Sequence, residues 1–257
     1  MMRGVLLDLA GVVYDGEKPI AGGIEAVAAL RDACLPLRFV SNTTRLAKPA
    51  IVAKLHAMGL DIGTDEVFAP AAAARDWLLR HRRSPHLLIH PGLEPEFRDL
   101  PRGGQPAVVI GDAGEAFTYS ALNEAFRLLD DGADFLALAA NRTFRDGDGR
   151  LSLDAGPFVT ALEFATGRHA TVLGKPSVDF FLAALADMGC EPETAAMVGD
   201  DAEADVAGAL RAGLATALLV RSGKYQPGDE TRFDPPPTAV VDDLAAAATW
   251  IIERRGP

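Results

Sequence analysis

Asp8 ends an apolar run, Val5-Leu6-Leu7, and opens a glycine turn, Asp8-Leu9-Ala10-Gly11-Val12-Val13-Tyr14. A carboxylate just past a buried strand is placed to act as a nucleophile or a metal ligand. Three further polar positions stand in similar settings. Ser41 follows the apolar stretch Leu37–Val40, and Asp200 follows Ala195–Gly199. Lys175 lies in Leu173-Gly174-Lys175-Pro176-Ser177, just ahead of a helix pattern. Asp200 also heads an acidic run, Asp200-Asp201-Ala202-Glu203-Ala204-Asp205. Together these groups describe one chemistry. Asp8 and Asp200 offer the hard oxygens that Mg²⁺ prefers, with waters completing its octahedron. Such a cation would offset the repulsion between Asp8 and an incoming phosphate. Ser41 can donate a hydrogen bond to a phosphoryl oxygen, and Lys175 brings a compact positive charge to the same oxygens. Asp8 can then attack phosphorus, giving an aspartyl-phosphate that water later cleaves.

Such groups act together only if the fold gathers them. Arg3–Leu7 reads as a short buried strand, Gly23–Ala33 as a helix with Ile24, Val27 and Leu30 on one face, and Leu37–Val40 as a second strand. Pro49–Met58 is a second helix, stopped by Gly59. The rhythm returns near the C-terminus. Val178–Met188 reads as a helix with Ser177 as N-cap and Gly189 as its end. Ala195–Gly199 and Thr216–Val220 read as strands around a helix from Glu203 to Ala212, and Pro235-Pro236-Pro237 as a rigid linker before a terminal helix, Leu244–Glu253. Alternating strands and helices predict a parallel sheet with right-handed crossovers. In such a sheet the C-terminal strand ends converge on one crevice, which makes Asp8, Ser41 and Asp200 neighbours. The middle of the chain differs. Strands at His86–Ile89, Ala107–Ile110 and Phe135–Ala139, with helices at Tyr119–Leu129 and Phe158–Thr166, suffice for a small α/β domain of its own. The expected organisation is therefore a two-domain α/β protein. Residues 1–77 and 174–257 form a Rossmann-like core, and residues 78–173 form an inserted domain.

Composition narrows the function. The chain has 257 residues, 49% of them apolar and 7% aromatic, with a net charge of -11. It is long enough to bury a sizeable core. The negative charge disfavours nucleic acid and anionic membrane surfaces, which call for basic protein. It leaves room for a small anionic substrate held by a few lysines, backbone N–H groups or one cation. Cys34 and Cys190 are the only cysteines. They make no disulfide framework, which suits a reduced, cytoplasmic protein. Asp8 interrupts the N-terminal apolar stretch too early for a signal peptide, and no long apolar span follows.

The segments Asp8-Leu9-Ala10-Gly11-Val12, Phe39-Val40-Ser41-Asn42, Gly174-Lys175-Pro176 and Gly199-Asp200-Asp201 with Asp205 resemble the four motifs of the haloacid dehalogenase-like (HAD) hydrolase superfamily, in order and spacing. The insertion between the second and third is similar to the C2-type cap of the NagD-like subgroup. Leu88-Ile89-His90, Gly111-Asp112-Ala113-Gly114-Glu115, Asp154-Ala155-Gly156-Pro157 and Arg221-Ser222-Gly223-Lys224-Tyr225 extend the resemblance over nearly the whole chain. The resemblance implies a Rossmann-like HAD core with an α/β C2 cap. It implies Asp8 as nucleophile, and Asp8, the Ala10 carbonyl and Asp200 as Mg²⁺ ligands. Ser41, Asn42 and Lys175 would hold the phosphoryl group, and Asp201 and Asp205 would orient metal-bound waters or Lys175. Asn141-Arg142 in the cap would select substrates, and a homodimer through the caps would be in keeping with the subgroup.

One residue departs from the pattern. Most phosphatases of the superfamily carry Asp where this chain has Ala10, as acid for the leaving group and base for the hydrolytic water. Alanine keeps a carbonyl for the metal but has no proton to give. General acid–base catalysis contributes about 10²–10⁴ in rate. Its loss hurts alkoxide leaving groups most, and hurts protonatable nitrogen or acidic phosphate least. The expected activity is Mg²⁺-dependent hydrolysis of small phosphorylated compounds, with P–N bonds and pyrophosphate favoured. The alternative is a weakly active or non-catalytic phosphate-binding or regulatory protein. Asp15 is a conceivable substitute acid.

Other polar residues have plainer readings. Asp201 and Glu203 suit the start of a helix through its dipole. Asn42 can shape its loop, and Asp205 can simply lie on the face of its helix. Asp146, Asp148 and Asp154 lack EF-hand spacing, so Asp146-Gly147-Asp148-Gly149 reads as a hairpin turn rather than a calcium loop. Arg80 to Arg83 reads as a solvated surface, and His90 carries no assigned role.

Overall fold

The structure, a computed structural model, describes residues 2–101, 103–145 and 150–255. It begins with β1 (Gly4–Asp8), a small hairpin of β2 (Tyr14–Asp15) and β3 (Lys18–Pro19), α1 (Gly23–Asp32), β4 (Leu37–Val40), α2 (Lys48–Ala57) and β5 (Val67–Phe68). The middle holds α3 (Pro70–His81), β6 (Ser84–Leu88), β7 (Pro106–Ile110), α4 (Tyr119–Asp130), β8 (Asp134–Ala137), β9 (Thr143–Arg145), β10 (Leu151–Leu153), α5 (Gly156–Thr166) and β11 (Thr171–Val172). The last part holds α6 (Val178–Met188), β12 (Ala195–Gly199), a π-helical turn at Ala202–Ala207, α7 (Gly208–Arg211), β13 (Thr216–Val220), β14 (Ala239–Val241) and α8 (Leu244–Arg254).

The chain divides into two compact units. The first comprises Met1–Ser41, Ile51–Phe68 and Lys175–Pro257. Its sheet has the order β14-β13-β12-β1-β4-β5, and every neighbouring pair is parallel. Strands β1, β12 and β13 are buried along their whole length, which is why they read as unbroken apolar runs. Val27 and Leu30 of α1, Ile51 and Leu55 of α2, and Leu244 and Ile251 of α8 join Val5, Leu7, Phe39 and Val198 in one core cluster. Phe180, Phe181 and Leu185 of α6 are buried as well. The chain runs outward from β1 to β4 and β5 on one side, and from β12 to β13 and β14 on the other. The β1/β12 boundary is therefore the topological switch point, where ligands bind in such sheets.

The second unit comprises Asn42–Ala50 and Ala69–Gly174. Its sheet is also parallel, in the order β11-β8-β7-β6. Strand β7 alternates between two cores. Ala107 and Val109 pack with Ala71, Ala74 and Leu78 of α3, while Val108 and Ile110 pack with Ala125 and Leu129 of α4 and Val159 and Leu162 of α5. Strands β9 and β10 pair antiparallel. The hairpin turn expected at Asp146–Gly149 lies outside the described residues.

Several expectations need correction. The boundary at residue 77 falls inside α3, and the division comes after Phe68, because α3 buries its apolar face in the second unit. Residues 42–50 also group with that unit. The helix expected from Glu203 to Ala212 opens with the π-helical turn before α7. Ser177 holds the N-cap position of α6 but makes no side-chain capping bond. Strand β14 separates the proline run from α8. Arg80 and His81 end α3, and Arg83 is tied to Asp134, 2.5 Å away, rather than simply solvated.

Candidate active site

Asp8 is the last residue of β1, in register with Val40 of β4. Ser41 follows β4 and Asp200 follows β12, so the three residues stand at adjacent C-terminal strand ends. Asp8, Ser41 and Asp200 are all buried, at 6%, 6% and 2% exposure. The Leu9 carbonyl accepts from the N–H groups of Val12, Val13 and Tyr14, and the Gly11 N–H donates to the Tyr14 carbonyl. This tight turn needs a left-handed residue, and Gly11 supplies it with φ 86°. The turn buries Val12 and Val13 and leaves Ala10 exposed.

Lys175 is buried at 4% exposure, and its Nζ donates to Asp8 Oδ1 and, at 2.6 Å, to Asp205 Oδ1. Asp205 lies on the π-helical turn at 1% exposure, and its Oδ2 accepts from the Asp201 N–H at 3.1 Å. Glycine at 199 makes this possible. A Cβ there would lie 2.4 Å from Asp205 Cγ. Burial alone would lower the Lys175 pKa, but the carboxylates of Asp205 and Asp8 reverse that and raise it. Lysine therefore stays charged between them.

Asp200 has a different environment. Its Oδ2 accepts from the Lys224 N–H at 2.7 Å, while its Oδ1 is buried with no hydrogen-bond partner among the described residues. Burial, followed by the charges of Asp8 and Asp205, pushes its pKa up to about 8. Burial also raises Asp205, although Lys175 opposes the shift. Asp8, Asp200 and Asp205 each bring one oxygen within 4.8 Å of the others. An orphaned buried acceptor amid excess carboxylate charge calls for a cation. The donor set is all oxygen, as Mg²⁺ requires. Asp205 already spends both oxygens, on Lys175 and on the Asp201 N–H, so the oxygens left for an ion belong to Asp8 and Asp200.

The remaining expected residues are placed as follows. Asp201 Oδ1 accepts from the Glu203 and Ala204 N–H groups and caps the π-helical turn, and its Oδ2 is 3.5 Å from Lys224 Nζ. The Ser41 N–H donates to the Phe68 carbonyl, which fixes the backbone at that strand end. Asn42 groups with the second unit, where its Oδ1 lies close to Gly174. Asn141 and Arg142 belong to that unit too. The Arg142 carbonyl accepts from the Asp154 N–H, and the Asn141 side chain bonds the Asp154 carboxyl, whose pKa burial raises. Asp154 thus braces this loop, while Asp146 and Asp148 lie outside the described residues. Asp15 is exposed on the β2–β3 hairpin. His90 accepts from the Gly92 N–H and starts a short helical turn.

Two features were missed from sequence. Tyr14 is half-buried, and burial, with Asp8's charge after it, pushes its hydroxyl up to about 12. The loop Ser222-Gly223-Lys224 reaches Asp200 from just beyond β13. Its signal was available, since it is a further loop at a C-terminal strand end.

Comparison with known proteins gives the family. Residues 5–101 match the family model described as haloacid dehalogenase-like hydrolase, and residues 172–247 match a HAD-hydrolase-like model. The chain is 43% identical over 260 residues to the zebrafish phospholysine phosphohistidine inorganic pyrophosphate phosphatase, covering 99% of this chain and 96% of the relative. It is 42% identical over 252 residues to the human haloacid dehalogenase-like hydrolase domain-containing protein 2, covering 98% and 96%. Among solved structures it is similar to a glycerol phosphate phosphatase from Mycobacterium tuberculosis in complex with magnesium. The TM-score is 0.83 at 27% identity, over 95% of this chain and 76% of that one. No described helix is long and apolar enough to cross a membrane.

Proposed function

The chain belongs to the haloacid dehalogenase-like hydrolase family and is a phosphatase of that family, and from this premise we propose that it hydrolyses small phosphorylated compounds through an aspartyl-phosphate on Asp8, with Mg²⁺. The observation that carries this reading is the buried pairing of Lys175 with Asp8 and Asp205 beside the unpartnered Asp200 Oδ1. When bound, Mg²⁺ would lower the repulsion between the carboxylates and the incoming phosphoryl oxygens. Asp8, Asp200 and the Ala10 carbonyl are the groups to hold it. One oxygen of the Asp8 carboxylate, which Lys175 engages at Oδ1, is the attacking oxygen. That oxygen bonds phosphorus as the bond from phosphorus to the leaving group breaks, and the leaving group departs with the electron pair. Ser41, Lys175 and Asn42 steady the phosphoryl oxygens. Water then attacks phosphorus, phosphate departs, and the Asp8 carboxylate is restored. Asp205 keeps Lys175 charged and aimed, and Asp201 keeps the turn that carries Asp205 in place.

Ala10 sets the substrate preference. It has no proton to offer an alkoxide, so the enzyme favours leaving groups that protonate readily in water or are already acidic. Phosphoramidates and pyrophosphate fit that description, and the substrates in the zebrafish relative's name are of these kinds. Asn141 and Arg142 act as substrate selectors, and a homodimer through the inserted unit accompanies this reading. The cytoplasmic setting rests on two unpaired cysteines, Cys34 and Cys190.

The test is a panel of phosphoramidates, pyrophosphate, sugar phosphates and 4-nitrophenyl phosphate, with and without Mg²⁺, on wild type and Asp8→Asn. Metal-dependent turnover lost in Asp8→Asn supports the mechanism, as does a phosphorylated Asp8 peptide trapped by acid quench. Ala10 also favours a second reading, a phosphate-binding protein with little catalysis. Mg²⁺-dependent phosphate binding without turnover on any substrate would select it.

A further inference from the structure

The two oxygens of Asp200 are treated unequally. Oδ2 is wedged between two glycines from distant loops. A Cβ on Gly11 or on Gly223 would lie 2.1 Å from it. The loops also touch each other. A Cβ on Gly223 would lie 2.6 Å from the Gly11 Cα, and one on Gly11 would lie 2.9 Å from the Gly223 Cα. Both glycines have positive φ, 86° and 66°. Ser222 Oγ donates to the Gly11 carbonyl at 2.6 Å and buckles the two loops together. The Lys224 N–H then donates to Oδ2 at 2.7 Å. Oδ1 receives nothing, although it is buried. The Lys224 side chain takes no part in this grip. Its Nζ is 3.5 Å from Asp201, and the side chain is 67% exposed.

From this geometry we infer that Ser222-Gly223-Lys224 is a positioning clasp for Asp200, which immobilises Oδ2 so that Oδ1 alone is presented to a divalent cation. The inference rests on the proposed Mg²⁺ site and adds determinants of its affinity. A carboxylate held by one oxygen cannot rotate to satisfy its other oxygen elsewhere. The orientation a cation needs is therefore set before the cation arrives, and little ordering remains to be done on binding. The clasp uses the Ser222 hydroxyl, the Lys224 backbone N–H and glycine, so its action does not depend on the lysine side chain.

The experiment is Mg²⁺ titration of the substrate-free full-length protein by calorimetry, followed by turnover across a range of Mg²⁺ concentrations. Gly223→Ala should weaken the Mg²⁺ Kd by about 10–100-fold, the usual effect of disturbing a group that orients a metal ligand. Ser222→Ala, which removes one hydrogen bond and adds no atom, should weaken it by about 2–10-fold. Lys224→Ala keeps the N–H donor and should not weaken it. Excess Mg²⁺ should restore kcat in Ser222→Ala, which a merely structural defect would not allow. Should Gly223→Ala fail to fold, Ser222→Ala decides. Wild-type Mg²⁺ affinity in a folded Ser222→Ala or Gly223→Ala overturns the clasp and leaves the proposed mechanism standing. A wild-type protein that takes up no Mg²⁺ overturns both.

Discussion

Replacing Lys175 with methionine tests the centre of the site. The substitution keeps much of the side chain's bulk and removes its charge. Asp8 and Asp205 then face each other without the cation they share, and Asp200 stands beside them with the three groups' oxygens within 4.8 Å of one another. Removing one partner of a buried ion pair costs about 3–5 kcal/mol. An independent route gives a similar figure. Two like charges 4.8 Å apart repel by about 3–4 kcal/mol at an effective dielectric of about 20. For a chain of this length each kcal/mol moves Tm by about 2–4 °C, so Lys175→Met should melt about 6–20 °C lower. The assay is urea unfolding with EDTA at pH 8, repeated at pH 5. The Lys175 pKa is raised, so its charge contributes fully throughout this range. The pH dependence therefore comes from the carboxylates. Asp200 and Asp205 both have raised values and can take up protons as pH falls, so the loss should shrink at pH 5. Adding Asp205→Asn should return part of the loss, a coupling of about 0.5–3 kcal/mol. A cost below about 1 kcal/mol for Lys175→Met at pH 8, or strict additivity with Asp205→Asn, would refute the shared-cation account.

Other outcomes follow from the same geometry. Ala10→Asp should raise kcat/KM on sugar phosphates by up to about 10²–10⁴ and on phosphoramidates by much less, and equal gains on both would count against the leaving-group argument. In metal-free protein the raised Asp200 pKa means the folded state holds its proton more tightly than the unfolded chain does. Stability should therefore be greatest below about pH 4 for this group and fall as pH rises through about 8, with Mg²⁺ flattening the fall; melting curves in EDTA and in MgCl₂ check it. Asp201→Ala removes a cap and should cost about 1 kcal/mol in urea unfolding, with Mg²⁺ affinity falling far less than in Gly223→Ala.

The parts of this fold that were legible in sequence are those whose burial is total. β12 and β13 are buried along their whole length and read as plain apolar runs, with bounds matching at Ala195–Gly199 and Thr216–Val220. Helix α3 was missed. Its buried face is largely alanine, Ala71 and Ala74 beside Leu78, and its N-cap is Ala69, so neither contrast nor capping marks it. The two-residue β5 is too short to show a period. The π-helical turn at Ala202–Ala207 was read as ordinary helix because periodicity does not register a single widened turn. At the site, strand ends located Asp8, Ser41 and Asp200. The partnership of Lys175 with Asp205 was one of two roles the resemblance implied for Asp205, and residue spacing alone did not show it. It joins residues 30 apart, and it depends on glycine at 199 clearing the way. The clasp was missed for a related reason, since its bond to Asp200 comes from the Lys224 backbone N–H and its bond to Gly11 from a serine hydroxyl 211 residues away.

The pairing of β1 with β12 has a consequence for how the chain is made. Gly4 finds its neighbour only at Ala195, so a nascent polypeptide emerges with a largely apolar strand whose second edge stays open until most of the protein has been synthesised. Residues 69–174 form a nearly continuous unit and can collapse on the ribosome while that strand waits. A stop codon anywhere before residue 195 would leave an uncovered hydrophobic ribbon, a ready substrate for chaperones or for aggregation.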